Sequence, residues 1–161
     1  MECNGLTSHE TTKNSEKKGD ETMFYGEYKH TVDSKGRLFI PAKFRDKLGD
    51  EFILSRGFDK CIRVYPISEW EKFTAKLQEL PAAKERHVLR FFYSGADEGS
   101  LDAQGRVTLN QAMRNFANLE KEVVIAGGCS HFEIWSATAW EEEQNNIDSE
   151  SIINELVELG L

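Results

Sequence analysis

The sequence predicts a mainly β protein with short helices, in which a duplicated unit builds a pseudo-twofold, interleaved β-barrel. Three observations carry that prediction. The stretch Asp33-Ser34-Lys35-Gly36-Arg37-Leu38-Phe39-Ile40 recurs as Asp102-Ala103-Gln104-Gly105-Arg106-Val107-Thr108-Leu109, 69 residues further on. Each copy reads as short strands punctuated by a Gly-containing turn. A unit of about 45 residues is small for an independent core, so two of them should bury their strand faces against each other and hide their edges.

The repeat persists along the chain. Arg45 matches Arg114, Phe52-Ile53-Leu54 matches Val123-Val124-Ile125, Val64-Tyr65 matches Ile134-Trp135, and Trp70-Glu71 matches Trp140-Glu141. The offset stays between 69 and 71, and its small changes fall between elements, where loops tolerate them. The resulting division is a disordered extension over 1–22, a first repeat over 27–71, connecting helices over 72–97, a second repeat over 98–141 and a helical extension over 142–161.

Taken in order, residues 1–22 are polar, with Met1 and Leu6 as their bulky apolar residues, and read as a disordered tail. Met23-Phe24-Tyr25 is the first apolar, aromatic stretch and marks the expected start of the folded part. A strand over Tyr28 to Val32 meets the Gly36 turn, and a second strand runs from Arg37 to Ile40. Pro41 suits a first helical position and Gly49 a helix end, which makes Ala42 to Leu48 a short helix with Phe44 and Leu48 on one side. Asn110 can cap the matching helix of the second repeat.

Strands over Glu51 to Ser55 and Cys61 to Tyr65 follow. Ser68 with Glu71 has the form of a capping box, and Thr138 with Glu141 repeats it. Trp70, Phe73 and Leu77 lie on one face of the helix that starts there. Ala82 to Tyr93 is a connecting helix. Ser149 to Leu159 carries apolar residues at 152, 153, 156 and 159, a helical spacing suited to packing on the body or on a neighbouring subunit.

Composition excludes several classes. With 39% hydrophobic and 30% charged residues, a packed core with a polar surface is expected. No apolar run approaches the roughly 20 residues that span a bilayer, and residues 1–22 lack the apolar segment of a secretory signal. Cys3, Cys61 and Cys129 are odd in number and widely spaced, which fits a reducing cytoplasm better than a disulfide framework. Cys129 and His131 are at most half a metal site.

The net charge of −8 is unevenly spread: residues 23–80 carry +2 and residues 81–161 carry −8. Between 29 and 47, Lys29, Lys35, Arg37, Lys43, Arg45 and Lys47 face only Asp33 and Asp46. A local basic patch attracts phosphate even on an acidic chain.

The paired turns carry a resemblance. Asp33/Arg37 and Asp102/Arg106 form two Asp-x-x-x-Arg motifs in register. They are flanked by Phe24-Tyr25-Gly26-Glu27-Tyr28, Gly36-Arg37-Leu38-Phe39-Ile40-Pro41-Ala42 and Tyr65-Pro66. In these residues the chain, over roughly 23–147, resembles the MraZ family of bacterial transcriptional regulators, encoded with cell-division and cell-wall genes. Its units resemble the AbrB-type (SpoVT-AbrB) swapped-hairpin domain, a double-split β-barrel. The resemblance implies a nucleoid-associated, double-stranded-DNA-binding regulator that forms a ring of about eight subunits.

On the residues themselves, Arg37 is the expected DNA contact, helped by Lys29, Lys35, Lys43 and Arg45. Arginine neutralises phosphate and pairs bidentately with guanine, and a β-ribbon is narrow enough for a major groove. The competing reading of Arg37 is an ion pair with Asp33 that only staples the turn. Arg106 belongs to the DNA-binding set too, yet its surroundings between 98 and 116 are neutral, and Gln104 stands where Lys35 does. Asp102 and Arg106 therefore read mainly as structural or assembly residues, while Asp33, Gly36 and Gly105 build the turns.

Oligomerisation would multiply a weak patch by raising effective concentration, favouring tandem short repeats upstream of the chain's own operon. Two other functions compete with this reading. Catalysis is disfavoured, because His9, His30, His87 and His131 are scattered and no nucleophile elbow, zincin helix or phosphate loop occurs. No catalytic residue, metal or cofactor is expected. The other rival is an antitoxin-like protein-binding module of the AbrB fold, which would ordinarily carry its flexible tail at the C-terminal end.

Overall fold

The computed structural model describes residues 23–161, so the disordered tail expected over 1–22 lies outside the described residues. The first half contains β1 (Glu27–Thr31), β2 (Arg37–Phe39), α1 (Ala42–Leu48), β3 (Glu51–Arg56), β4 (Ile62–Pro66), α2 (Ile67–Leu77) and α3 (Ala82–Ser94). The second repeats that order as β5 (Asp97–Ser100), β6 (Arg106–Thr108), α4 (Gln111–Phe116), β7 (Glu122–Gly127), β8 (Phe132–Ser136), α5 (Ala137–Asn145) and α6 (Ser149–Glu158).

All strand pairs are antiparallel, and the pairing interleaves the halves. Six strands form a sheet in the order β1-β7-β8-β4-β3-β5, while β2 and β6 form a separate two-stranded ribbon. The order is palindromic under exchange of the halves, and so is the register. Arg63 faces Glu133 at the centre of the β4–β8 pair, and Leu38 faces Val107 at the centre of the ribbon. A pseudo-twofold axis passes through both places.

The closed barrel expected from sequence is not formed. Among the described residues β1 pairs only with β7 and β5 only with β3, which leaves both as edges of an open sheet. The reason is the tight turn after each edge strand, which carries β2 and β6 out of the sheet and into the ribbon.

The main core lies between the sheet and the layer made by the ribbon, α1 and α4. Strand alternation sends Ile62, Val64, Phe132 and Ile134 into it, to meet Leu38, Phe44, Val107 and Met113. Phe44 packs against Phe24 and Phe132 at 5.3 and 5.0 Å between ring centroids. The opposite face of the sheet holds a smaller cluster in which Ile53, Tyr65, Trp70 and Phe92 are buried and Phe73 and Leu77 are partly buried.

Helix starts correct three expectations. Pro41 precedes the first turn of α1 instead of occupying it. The Ser68 box is not made, because α2 begins one residue earlier behind Pro66 without a side-chain cap. The Thr138 box is replaced by Ser136, whose hydroxyl accepts from the Ala139 N–H at 3.1 Å. Asn110 caps α4 as expected, accepting from the Met113 N–H at 2.9 Å.

Candidate nucleic-acid interface

Each motif turn is held by its aspartate. Asp33 Oδ1 accepts from the backbone N–H groups of Lys35 and Arg37 at 3.0 and 2.9 Å, and Oδ2 accepts from Arg37 Nε at 2.6 Å. Asp102 does the same with Gln104, Arg106 and Arg106 Nε at 2.9, 2.9 and 2.8 Å. These bonds, led in each case by the backbone N–H of the motif arginine, hold both carboxyls below the usual carboxylate range against a smaller opposing effect of desolvation. Both turns reverse through a glycine at φ +80°, a conformation that disfavours any side chain.

Each turn is also seated on the opposite repeat. The Leu109 N–H donates to the Gly36 carbonyl at 2.8 Å, and the Ile40 N–H donates to the Gly105 carbonyl at 3.0 Å. Arg114 lies across Gly36 and donates from Nε to the Leu109 carbonyl at 3.1 Å. Arg45 lies across Gly105, with its Nε buried and without a hydrogen-bond partner among the described residues. The reciprocal bracing explains why Arg45 and Arg114 keep the repeat offset.

The ribbon brings the two motifs together. Leu38 and Val107 are 0% and 1% exposed and point into the core. Alternation then puts Arg37, Phe39, Arg106 and Thr108 on the outward face. Arg37 pairs with Thr108 and Phe39 with Arg106, so the two arginines are diagonal neighbours. The Arg106 guanidinium stands 5.7 Å from the centre of the half-exposed Phe39 ring. Each arginine uses Nε to hold its aspartate, and among the described residues its terminal nitrogens have no hydrogen-bond partner.

Of the other expected contacts, Lys35 is exposed at the tip of the first turn and Lys43 is exposed on α1. Lys29 lies elsewhere, in the groove between β1, β7 and α5 that also holds Glu27, Glu122 and Glu141. Lys47 donates to the Met23 carbonyl at 2.7 Å and sits 4.8 Å over the Tyr25 ring. Phe39 and Thr108 were not singled out from sequence, although alternation around Leu38 and Val107 would have found them.

The half metal site is not assembled. Cys129 is exposed, while His131 is buried beside Tyr65 and reaches Glu133 Oε2 at 3.5 Å. Among the described residues no three metal-ligating side chains cluster, and no helix is long and apolar enough to cross a membrane.

A family model described as "MraZ protein, putative antitoxin-like" matches the chain twice, over residues 23–91 and 92–158. A relative from Clostridium tetani is 46% identical over 142 residues, covering 86% of this chain and all of the relative. Relatives from Alkaliphilus metalliredigens and Natranaerobius thermophilus are 45% and 46% identical over 143 residues, with the same coverage. All three bear the name transcriptional regulator MraZ.

Proposed function

The chain belongs to the MraZ family, and from that membership and the ribbon geometry we propose that it is a DNA-binding transcriptional regulator. The observation that carries the reading is the single two-stranded ribbon whose outward face presents both Asp-braced arginines. A ribbon of two strands fits a major groove, where a guanidinium with free terminal nitrogens reaches guanine or phosphate. The aspartates act as positioning residues. By holding Nε they fix where the remaining donors point, which lowers the ordering cost of a long side chain.

In this reading Arg37 and Arg106 both contact DNA, and Lys35 and Lys43 add phosphate contacts on the first-repeat side. Arg45 braces the opposite turn, and Lys29, surrounded by acids, makes no contact. Gly36 and Gly105 shape the turns. Copies of the chain assemble into a homo-oligomer, which engages tandem short repeats upstream of its own operon through several ribbons at once. No step of this function calls for a cofactor or a catalytic residue, and its place is the cytoplasm, on the nucleoid.

Fluorescence anisotropy with DNA from upstream of the gene tests the proposal, with scrambled DNA as control and two salt concentrations. Wild type should bind specifically and lose affinity with salt. Arg37→Ala should weaken binding by roughly tenfold or more, as removal of a bidentate base contact does. Arg106→Ala should cost less, since the lysines flank Arg37. Unchanged affinity in a folded Arg37→Ala variant refutes the interface. A well-folded wild type without specific binding moves the function toward a protein partner.

A further inference from the structure

The outward face of the ribbon is symmetric in its charges but not in the residues that stand beside them. Arg37 and Arg106 are equivalent, and each holds its aspartate through Nε. Phe39 and Thr108 are equivalent too, 69 residues apart, yet one is a phenyl ring and the other a small hydroxyl side chain. The four form the corners of one patch. Across the strands Arg37 faces Thr108, and Phe39 faces Arg106.

Folding does not account for the ring. Leu38 and Ile40, on either side of Phe39, are buried and supply the core contacts, whereas Phe39 itself is 50% exposed. Thr108 shows that the same place in the ribbon is built equally well with a small polar residue. The Phe39 ring lies instead against the Arg106 guanidinium, 5.7 Å from its centre, within the range of cation–π attraction. The two arginines are unequally open as a result. The Arg106 side chain is 19% exposed and that of Arg37 is 32% exposed, although their bonds to aspartate match.

The rest of the ring faces away from the body. A lone exposed phenylalanine needs no special reason. This one is fixed by a strand between two braced arginines, on the face proposed above to enter a major groove. The apolar group that a major groove offers is the thymine methyl, and phenylalanine is one of the side chains that contact it. The phenyl ring extends several bonds beyond its Cβ, whereas Thr108 ends one bond from its own. The ring is therefore the part of the patch that meets a methyl group when the arginines meet guanine or phosphate.

We infer that Phe39 is a specificity-determining residue whose ring packs on a thymine methyl beside the group held by Arg106, while Thr108 makes no such contact. This assignment rests on the DNA-binding reading and names one base that it recognises.

The test uses the full chain and the duplex from upstream of the gene, made once with thymine and once with uracil at every thymine position. Uracil pairs as thymine does and lacks only the methyl group. Wild type should bind the thymine duplex roughly fivefold tighter or more. Phe39→Ser should bind both duplexes alike, Phe39→Leu should keep most of the preference, and Thr108→Ser, which removes only a methyl, should keep all of it. If circular dichroism shows that Phe39→Ser is not folded, Phe39→Gln takes its place with the same expectation. A specifically binding wild type that is indifferent to the methyl groups overturns the inference. So does a Phe39→Ser variant that binds more weakly yet keeps the preference, because the ring would then only prop Arg106, and so does loss of the preference in Thr108→Ser. A wild type that prefers neither duplex to scrambled DNA defeats the DNA-binding reading as well.

Discussion

Gly36 and Gly105 share a backbone angle of +80° but face different neighbours. A methyl group on Gly36 would come within 2.7 Å of the Leu109 carbonyl oxygen, which is main chain and cannot give way. On Gly105 it would meet the end of the Arg45 side chain, which can move. Strain from the positive φ is common to both and costs on the order of 1–2 kcal/mol. Gly36→Ala should therefore lose about 2–3 kcal/mol and Gly105→Ala about 1–2 kcal/mol in urea unfolding, with the order as the critical result. The aspartates add a pH dependence. Their folded pKa values are depressed, so their stabilisation is present above the ordinary carboxylate range and is lost as pH falls through the depressed values. The gap in urea midpoint between wild type and the Asp33→Asn/Asp102→Asn variant should narrow from pH 7 to pH 3. A gap independent of pH would contradict the staple. The turn itself was legible because Asp, Gly and Arg meet local needs within five residues. That Arg45 braces the other repeat was not, since the contact spans 60 residues and depends on the interleaving.

At the scale of elements, caps discriminate between reading a motif and reading its geometry. Ser136 closes β8 and caps α5 with one hydroxyl, whereas Thr138, the residue favoured by the box pattern, lies past the helix start. Ser136→Ala should cost about 1 kcal/mol and Thr138→Ala within about half of that, measured by urea unfolding. Equal losses would restore the sequence-based cap. Strand positions were read to within about one residue, because alternation and glycine turns are local signals. Barrel closure is not legible in the sequence, because hydrophobic alternation fixes which face is buried but not which strand sits beside which. Only the observed pairings show that β1 and β5 remain edges. The ribbon face was half legible for the same reason. Arg37 and Arg106 each stood out within a motif, but their being diagonal neighbours follows from the β2–β6 register.

For the whole molecule the question is why repeat 1 pairs with repeat 2 and not with its own copy. Equivalent core positions differ in size, as Phe44 and Met113, Leu48 and Ala117, or Ile62 and Phe132 do, and the axis residues add a difference in charge. Where repeat 1 has Arg63, repeat 2 has Glu133, and the pseudo-twofold register sets them opposite each other, with Arg63 Nε 3.3 Å from Glu133 Oε2. Pairing repeat 1 with a second repeat 1 in this register would set Arg63 against Arg63, and repeat 2 with repeat 2 would set Glu133 against Glu133. Both side chains are largely buried, at 15% and 17% exposure, so like charges there have little water to screen them. Glu133 is held ionised: burial raises its pKa, but His131, Trp135 and the Arg63 charge outweigh that effect. The pair therefore acts against wrong partners more than it adds to stability. Arg63→Glu and Glu133→Arg, each creating a like-charged axis, should each cost about 3 kcal/mol in urea unfolding. Combined in one chain they restore opposite charges, so the double variant should be more stable than either single one, a strongly non-additive cycle. Additive losses would show that the two positions act through separate local contacts, such as the bond from Trp135 Nε1 to Glu133 Oε1, and that the axis charge does not select the pairing.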